Sequence, residues 1–424
     1  MDGREPSIWD DFCRDFPDKI HNRATPEPAC DHYRRWAEDV EWIHRLGHNA
    51  YRFSISWPRG VRGLDFYDRL VDALCQKGIA PMATLYHWDL PSRLGSWENP
   101  EVAEAFADFA EKAATRLGDR VSHWMTLNEP AWSIMNGYVT GLHPPAVQDL
   151  GRAFRAGHNL MRAHHLALQR LRDSGVRGEL GIALNLSPVR CSGSTVKDRR
   201  AARWADDFLN RWFLEAVVYG RYPQKSRRLL ERTLGFEGVL ENPQPVDFLG
   251  VNYYYPKWVA HSQDETRFHL NTSGETQEKC QFSLQGRMRF VDSPHKAEKT
   301  EWDWEIDPQG LEDLLLDLHR SYPRLPLMVT ENGIGLREDW SSQRDPQRIE
   351  FVRAHLEAVQ RARQGGAPVR GYLMWALMDN FSWLNGYQKR YGLLAVHPDT
   401  LERRPKASAE WFRNLFQSSA GSSS

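Results

Sequence analysis

Seven short apolar runs alternate with longer amphipathic segments along almost the whole of the 424-residue chain. The runs lie at 50–57, 80–88, 121–129, 179–187, 246–254, 325–333 and 372–379. They are apolar nearly throughout, which is typical of parallel strands that are covered on both faces. Apolar residues recur at helical spacing in 64–77, 102–113, 150–173, 198–219, 308–321 and 345–364. This alternation predicts an α/β fold built on a parallel sheet.

Polar or aromatic clusters follow most of the predicted strands, at the point where each strand ends. The clusters are His87–Asp89, Asn128–Glu129, Asn252–Tyr254, Glu331–Asn332, and Trp375 with Asp379–Asn380. Side chains at the C-terminal ends of successive parallel strands form the active site of a (β/α)8 TIM-type barrel, so we predict that fold. A doubly wound open sheet is the alternative, but it usually carries a Gly-rich phosphate loop after its first strand, and this sequence has none there.

The chain is predicted to form one domain. It has no internal repeat and no Pro/Gly/Ser-rich linker within residues 1–417. The polar stretch at about 255–305 interrupts the alternation, and we interpret it as an insertion that carries a small hairpin. The Ser-rich residues 418–424 predict a disordered tail.

The composition argues against several kinds of partner. The net charge of −1 leaves no basic excess for a phosphate backbone, so no nucleic-acid partner is expected. The five cysteines are widely spaced and lack a C-x-x-C pair, which favours a reducing cytoplasm over a disulfide framework or a zinc site. The first residues contain no apolar leader, and no apolar run is long enough to span a membrane. We therefore expect a cytoplasmic protein that does not bind membranes.

Two of the predicted strands end in a glutamate, Glu129 in the segment TLNEP and Glu331 in the segment VTENG. Barrel closure would bring both carboxylates to its mouth, and two carboxylates about 5 Å apart are the catalytic pair of a retaining glycosidase. Alone, each glutamate could instead cap a helix or pair with an arginine. A metal site that adds His87 and Asp89 is the other alternative, although no recognised ligand spacing supports it. The 17 Trp residues suit either sugar stacking or a large aromatic core.

A series of motifs in a fixed order resembles glycoside hydrolase family 1, the family of β-glucosidases and 6-phospho-β-glycosidases. The matching segments are SIWDDF (7–12), DHYRRWAEDV (31–40), YRFSISWPR (51–59), LYHWDLP (85–91), TLNEP (126–130), GVNYY (250–254), VTENG (329–333), MWALMDNFSWLNGYQKRYGL (374–393) and RRPKASAEWF (403–412). The resemblance covers almost the whole chain and implies a (β/α)8 barrel that hydrolyses β-glycosides.

The resemblance also implies roles for individual residues. Glu129 corresponds to the acid/base and Glu331 to the nucleophile. Arg52 and Tyr254 resemble the pair that contacts the nucleophile. The side chains expected around the sugar are those of His87, Trp88, Asn128, Asn252, Trp375 and Trp383. From the residues alone, His87 could equally be a structural histidine and Trp375 a core side chain. This two-carboxylate chemistry requires no cofactor and no metal.

Two departures from the family pattern fall near one side of the expected barrel. The usual opening strand is missing before the GREPSIWDDF segment, so that seven candidate strands are present where the barrel needs eight. The loop after YRFSISWPR is also short, with only Gly60–Arg62 before GLDFYDRLVD. The N-terminus could fill the gap, a second copy could pair there, or the region could stay loose. These departures leave open the alternative that the protein is a weakly active or vestigial sugar-binding barrel. A misplaced start codon is another explanation, because the first strand would then be encoded upstream of Met1.

Ser382 points to a phosphorylated sugar. Ordinary β-glucosidases of the family carry D-N-F-E-W, whose glutamate holds the sugar hydroxyls, whereas this chain has D-N-F-S-W. A carboxylate would repel a 6-phosphate, and a hydroxyl can donate to it. Ser382, Lys389 and Tyr391 resemble the family's phosphate-binding trio, although K-R-[FY]-G also occurs in members that bind no phosphate. With Trp383, the motif resembles the 6-phospho-β-galactosidase version. We therefore expect 6-phospho-β-galactosides, with plain β-glucosides or β-galactosides as the alternative.

Overall fold

The computed structural model describes residues 3–224, 227–228, 231–232, 240–263, 267–269, 281–284 and 286–421. Seven parallel strands form the central sheet. They are β1 (Ala50–Ser54), β2 (Ala80–Tyr86), β3 (His123–Asn128), β4 (Glu179–Asn185), β5 (Phe248–Asn252), β6 (Leu327–Asn332) and β7 (Val369–Met374). Each strand overlaps one of the seven apolar runs, and the prediction of a (β/α)8 TIM-type barrel with seven recognisable strands is confirmed.

Neighbours in the sheet follow chain order, as repeated strand–helix–strand units require. At one end of the sheet, Ala50 of β1 lies opposite Ala80 of β2. At the other end, Leu327 of β6 lies opposite Val369 of β7. In the hydrogen-bonded order of the described strands, β1 and β7 are the two ends. β7 begins and ends earlier than the predicted run 372–379. It ends earlier because residues 375–378, although apolar, are no longer part of the sheet. Met378, for example, is buried in a core between the C-terminal elements rather than in a strand.

Helices on the outside of the sheet connect the strands. The described α-helices span Ile8–Asp15, His32–Arg45, Gly60–Gln76, Glu101–Leu117, Pro130–Ile134, Leu150–Asp173, Val196–Asp206, Trp212–Tyr219, Pro308–Ser321, Pro346–Gln364 and Ala407–Gly421. The predicted helix 198–219 is two α-helices joined by a short π-helix at Asp207–Arg211. Gly157 lets the Leu150–Asp173 helix pack closely against this segment, since a Cβ atom there would lie 2.8 Å from the Trp212 ring. None of the helices in the described part of the chain is long and apolar enough to cross a membrane.

A second sheet contains much of the segment that the sequence analysis interpreted as an insertion. Its five strands are Val189–Cys191, Lys257–Ala260, Arg267–His269, Gln281–Leu284 and Met288–Val291. The last three strands pair antiparallel in chain order, so the expected hairpin is part of a three-stranded meander, and Lys257–Ala260 pairs antiparallel with Met288–Val291. Residues 270–280 lie outside the described residues.

The last helix, Ala407–Gly421, includes residues 418–421, for which the composition predicted a disordered tail, and residues 422–424 lie outside the described residues. Trp411 and Phe412 of this helix pack on the core. The division into one domain at 1–417 stays a prediction.

The described N-terminal residues lie at the carboxyl ends of β1 and β2. The Glu5 amide donates to the Pro58 carbonyl at 3.0 Å, and the Ile8 amide donates to the Leu90 carbonyl at 2.9 Å. Ser7 forms an isolated antiparallel bridge with Pro91. This segment therefore packs above the barrel and does not occupy the space between β1 and β7.

Candidate active site

A cavity of about 150 Å³ opens at the carboxyl ends of the parallel strands. Every predicted site residue except Arg52 lines it: His87, Trp88, Asn128, Glu129, Asn252, Tyr254, Glu331, Trp375, Ser382, Trp383, Lys389 and Tyr391. Arg52 lines an adjoining cavity and reaches the same cluster from β1. The strand ends thus converge as the sequence pattern predicted.

Glu331, in β6, is held by two donors, one from β1 and one from the segment that follows β5. The Arg52 Nη1 atom donates to Glu331 Oε1 at 2.6 Å, and the Tyr254 hydroxyl donates to Oε2 at 3.0 Å. Arg52 is itself fixed by Asn128 Oδ1 at 2.6 Å and Thr84 Oγ1 at 3.0 Å. Both carboxylate oxygens are therefore oriented, and the arginine supplies a positive charge beside them.

Glu129 follows β3 and has a left-handed backbone, with φ 47° and ψ 54°. A non-glycine residue pays conformational strain for this geometry, which here turns the chain from the strand into the Pro130 helix and places the carboxylate in the cavity. The Asn252 Nδ2 atom donates to Glu129 Oε1 at 2.8 Å. Burial and the nearby charge of Glu331 raise the pKa of Glu129 to about 8. At neutral pH this carboxyl group holds a proton.

Asn252 links the two glutamate-bearing strands. Its amide oxygen accepts from the Thr330 hydroxyl at 2.7 Å, beside Glu331. Its amide nitrogen contacts Glu129 and also donates to Asn128 Oδ1 at 3.1 Å. All of these groups are buried, so the network leaves Asn252 a single orientation that satisfies its hydrogen bonds.

His87 is held as a neutral ring. Asn128 Nδ2 lies 3.1 Å from His87 Nε2, and an amide nitrogen can only donate in this contact, so the ring nitrogen accepts. Burial and the charge of Arg52 lower the pKa of His87 to about 3. The Trp88 indole donates to the Asn128 carbonyl at 3.0 Å, which helps to fix the end of β3. His87 can therefore orient a hydroxyl group but carries no charge at neutral pH.

Indole rings form the walls of the cavity. Trp375 stacks on His87 with centroids 5.9 Å apart. Trp383 stacks on Trp88 at 5.5 Å and on Trp9 of the N-terminal helix at 4.2 Å. Flat aromatic faces next to hydrogen-bonding groups suit a sugar ring, whose C–H face is apolar and whose rim is polar.

Lys389 is buried and lines the same cavity as Ser382 and Tyr391. Its Nζ atom lies 3.4 Å from the ring centroid of Trp304 and 5.5 Å from that of Tyr391. Burial and the charge of Arg337 lower the pKa of Lys389 well below its ordinary value. An anion brought close to Lys389 would favour the charged ammonium.

Several cavity residues were missed by the sequence analysis. They include Trp132, His143, Asn185, Ser187, Tyr255, Lys257 and Trp304. Asn185 ends β4 as Asn128 ends β3, so the strand-end rule could have found it. The others lie in loops, in a helix or, for Lys257, at the start of a strand of the second sheet, where nothing in the local pattern marks them.

The sheet and the cavity together define the class of protein as an α/β-barrel hydrolase whose two buried glutamates face a cavity suited to a sugar ring. The chain belongs to glycosyl hydrolase family 1, whose family model matches residues 1–420. The resemblance drawn from the motifs is thereby confirmed.

Individual relatives cover nearly the whole chain. A 1,4-β-D-glucan glucohydrolase from Thermotoga neapolitana is 36% identical over 98% of this chain and 93% of its own length. A 6-phospho-β-galactosidase from Clostridium acetobutylicum is 34% identical over 98% and 92%. A family 1 β-glucosidase from Thermotoga maritima matches in structure with a TM-score of 0.89, at 35% identity over 99% of this chain and 94% of that one. The protein is accordingly a β-glycosidase of this family, with a glycoside as its substrate.

Proposed function

We propose that the protein hydrolyses β-glycosides with retention of configuration, with Glu331 as nucleophile and Glu129 as acid/base. The observation that carries the proposal is the difference between the two carboxyl groups. Glu331 accepts from a guanidinium and a phenol, whereas Glu129 is buried with a pKa raised to about 8. Pairs of carboxyl groups with opposed environments divide the roles of nucleophile and acid in this way.

In the first step, a Glu331 oxygen attacks the anomeric carbon while Glu129 gives its proton to the departing glycosidic oxygen. The bond to the aglycone breaks and a glycosyl ester forms on Glu331. In the second step, Glu129, now ionised, takes a proton from water as that water attacks the anomeric carbon and releases Glu331. Asn252 keeps Glu129 in place through both steps.

Substitution of the two glutamates tests these roles. Glu331→Ala should abolish turnover, about 10⁴-fold or more, because no covalent intermediate can form. Added azide should restore product of inverted configuration. Glu129→Ala should instead spare nitrophenyl glycosides, whose leaving groups need little protonation. A Glu331→Ala variant with the wild-type rate would overturn the assignment.

We further propose that the favoured substrates are 6-phospho-β-glycosides, 6-phospho-β-galactosides first. Ser382 puts a hydroxyl where a carboxylate would repel phosphate, and Lys389 is a buried amine that lines the same cavity and whose charged form a phosphate would favour. The second candidate is an unphosphorylated β-glucoside or β-galactoside. It is favoured by the Trp304 face at 3.4 Å from Lys389, since a cation over an aromatic ring is stabilised without an anion.

Ser382→Glu separates the two candidates. A carboxylate facing the 6-phosphate should lower kcat/KM for nitrophenyl 6-phospho-β-galactoside by about 100-fold or more. The same variant should leave the unphosphorylated nitrophenyl galactoside unaffected or improve its turnover. Ser382→Ala is the matched control, because it removes the hydroxyl without adding charge. A wild-type enzyme that prefers the unphosphorylated sugar by a wide margin would rule out the phosphoglycosidase proposal.

A further inference from the structure

Three residues of the cavity at the glutamates have no part in the sugar contacts proposed above. They are Trp132, Tyr255 and Lys257, and all three line the cavity. Trp132 lies in the short helix that begins directly after Glu129, and its amide donates to the Glu129 carbonyl at 3.0 Å. Because Glu129 gives its proton to the departing oxygen, the aglycone leaves on the side of the cavity where Glu129 lies.

The second sheet fixes the position of Lys257. The strand Lys257–Ala260 pairs in parallel with Val189–Cys191, the segment that follows β4. Successive side chains along a strand point to opposite faces, so Lys257 and Trp258 diverge. The Trp258 indole donates to Glu305 Oε2 at 2.7 Å, whereas Lys257 lines the cavity. The register of this sheet therefore directs the lysine ammonium into the cavity.

The Lys257 ammonium lies against aromatic rings. Its Nζ atom is 3.4 Å from the ring centroid of Tyr255 and 5.3 Å from that of Trp132. Tyr255 in turn stacks on Trp304, with ring centroids 4.8 Å apart and planes inclined by 20°. Cation–π contacts of this kind hold an ammonium next to a flat apolar surface. The cavity thus offers ring faces and a positive charge side by side.

The charge of Lys257 also acts on the acid/base. Burial and the charge of Glu331 raise the pKa of Glu129, and the positive charges of Arg52 and Lys257 oppose that rise. Arg52 is hydrogen-bonded to Glu331, on the nucleophile side. Lys257 reaches the site from the second sheet instead, so its charge lies near the group that protonates the leaving oxygen.

We propose that Trp132, Tyr255 and Lys257 form a binding site for an aromatic aglycone that carries a carboxylate. The two rings stack on the aglycone, and the ammonium donates a charge-assisted hydrogen bond to its carboxylate. The inference rests on the proposed function, because it requires a leaving group that Glu129 protonates. It extends that function by naming the class of aglycone, whichever sugar is bound.

Four aryl glycosides test this proposal. They combine galactose, with or without a 6-phosphate, with a 2-nitrophenyl group that carries either a carboxylate or a carboxamide opposite the glycosidic oxygen. Lys257→Met should lower kcat/KM for the carboxylates about tenfold more than for the carboxamides. Differences in leaving-group reactivity cancel, because each substrate is compared between variant and wild type. The carboxamide rate also shows that the variant is folded.

Two further variants serve as controls. Lys257→Arg keeps the positive charge and should retain most of the preference for the carboxylates. Lys299→Met makes the same chemical change at a lysine that pairs with Asp303, and it should leave the preference unchanged. In the wild type, added salt should weaken the preference, because it screens the ion pair between Lys257 and the carboxylate.

The possible results separate this proposal from the function on which it rests. Equal losses on carboxylates and carboxamides in Lys257→Met would overturn it, because Lys257 would then act only on structure or on Glu129. A loss that follows the 6-phosphate would also overturn it, since Lys257 would then contact the sugar. A wild-type preference that salt leaves unchanged would contradict the ion pair. Turnover of none of the four substrates by the wild type would contradict the proposed function itself, and this site with it.

Discussion

The two sides of the barrel differ in how they hold the site. On the closed side, β6 is buried at every residue and β3 at every residue after His123. On the open side, β1 and β7 are buried at only one residue each. Glu129 and Glu331 come from the closed side, whereas Arg52 and Trp375, which position the groups around them, come from the open side. The two catalytic glutamates therefore lie on the more buried side of the barrel, and some of the side chains that position them lie on the less buried side.

Arg52→Lys should have the largest effect on activity, because it disrupts the contact between Arg52 on the open side and Glu331 on the closed side. Lysine cannot bridge Glu331 and Asn128 with a planar fork, so we expect kcat/KM to fall by about 100-fold. Arg370→Lys is the matched control on the open side, because Arg370 is exposed and pairs with Glu179 at the surface. Steady-state kinetics with a nitrophenyl glycoside measures both. Equal rates for the two variants would mean that Arg52 does not position the nucleophile.

Replacing one leucine by alanine on each side of the barrel should reveal the difference in packing as a difference in the free energy of unfolding. Leu127 in β3 is fully buried in the main core, and Leu127→Ala should lower the free energy of unfolding by about 2–5 kcal/mol. Leu373 in β7 packs on the inner cluster but is only partly buried, so Leu373→Ala should cost about 1 kcal/mol. Denaturant unfolding of the two variants checks this. A cost for Leu373→Ala equal to that of Leu127→Ala would show that the open side is packed as tightly as the closed side.

The alkaline limb of the pH dependence of the rate should report on Glu129, which lies on the closed side. Glu129 must be protonated to act as the acid, and its raised pKa of about 8 keeps it so at neutral pH. As pH rises through about 8 the proton is lost, so kcat/KM should fall on the alkaline limb. In Glu331→Gln the neighbouring charge is removed and the pKa of Glu129 should drop, which carboxyl-labelled NMR can follow. An unchanged pKa in that variant would contradict the electrostatic coupling.

The sequence predicted the closed side better than the open side. Apolar runs that end in Asn128–Glu129 and Glu331–Asn332 are local patterns, so both the strands and their polar ends could be located without the fold. Residues such as Trp304 and His143 reach the cavity from loops, and only the packing of distant segments brings them there. The end of β7 was placed too late because residues 375–378 are as apolar as a strand. The large cavity beside β1 results from the way the outer helices pack around the gap between β1 and β7. This packing between distant segments leaves no local pattern in the sequence.

The central claim is that Glu331 forms a covalent bond to the sugar, and trapping tests it most directly. A 2-deoxy-2-fluoro glycoside with a dinitrophenyl leaving group, phosphorylated at the 6-position or not, should inactivate the enzyme by slowing release of the intermediate. Peptide mass spectrometry should then find one fluorosugar on the segment that contains Glu331, and proton NMR of normal turnover should show the β-anomer as first product. A label on the Glu129 segment, or an α-anomer as first product, would contradict the account.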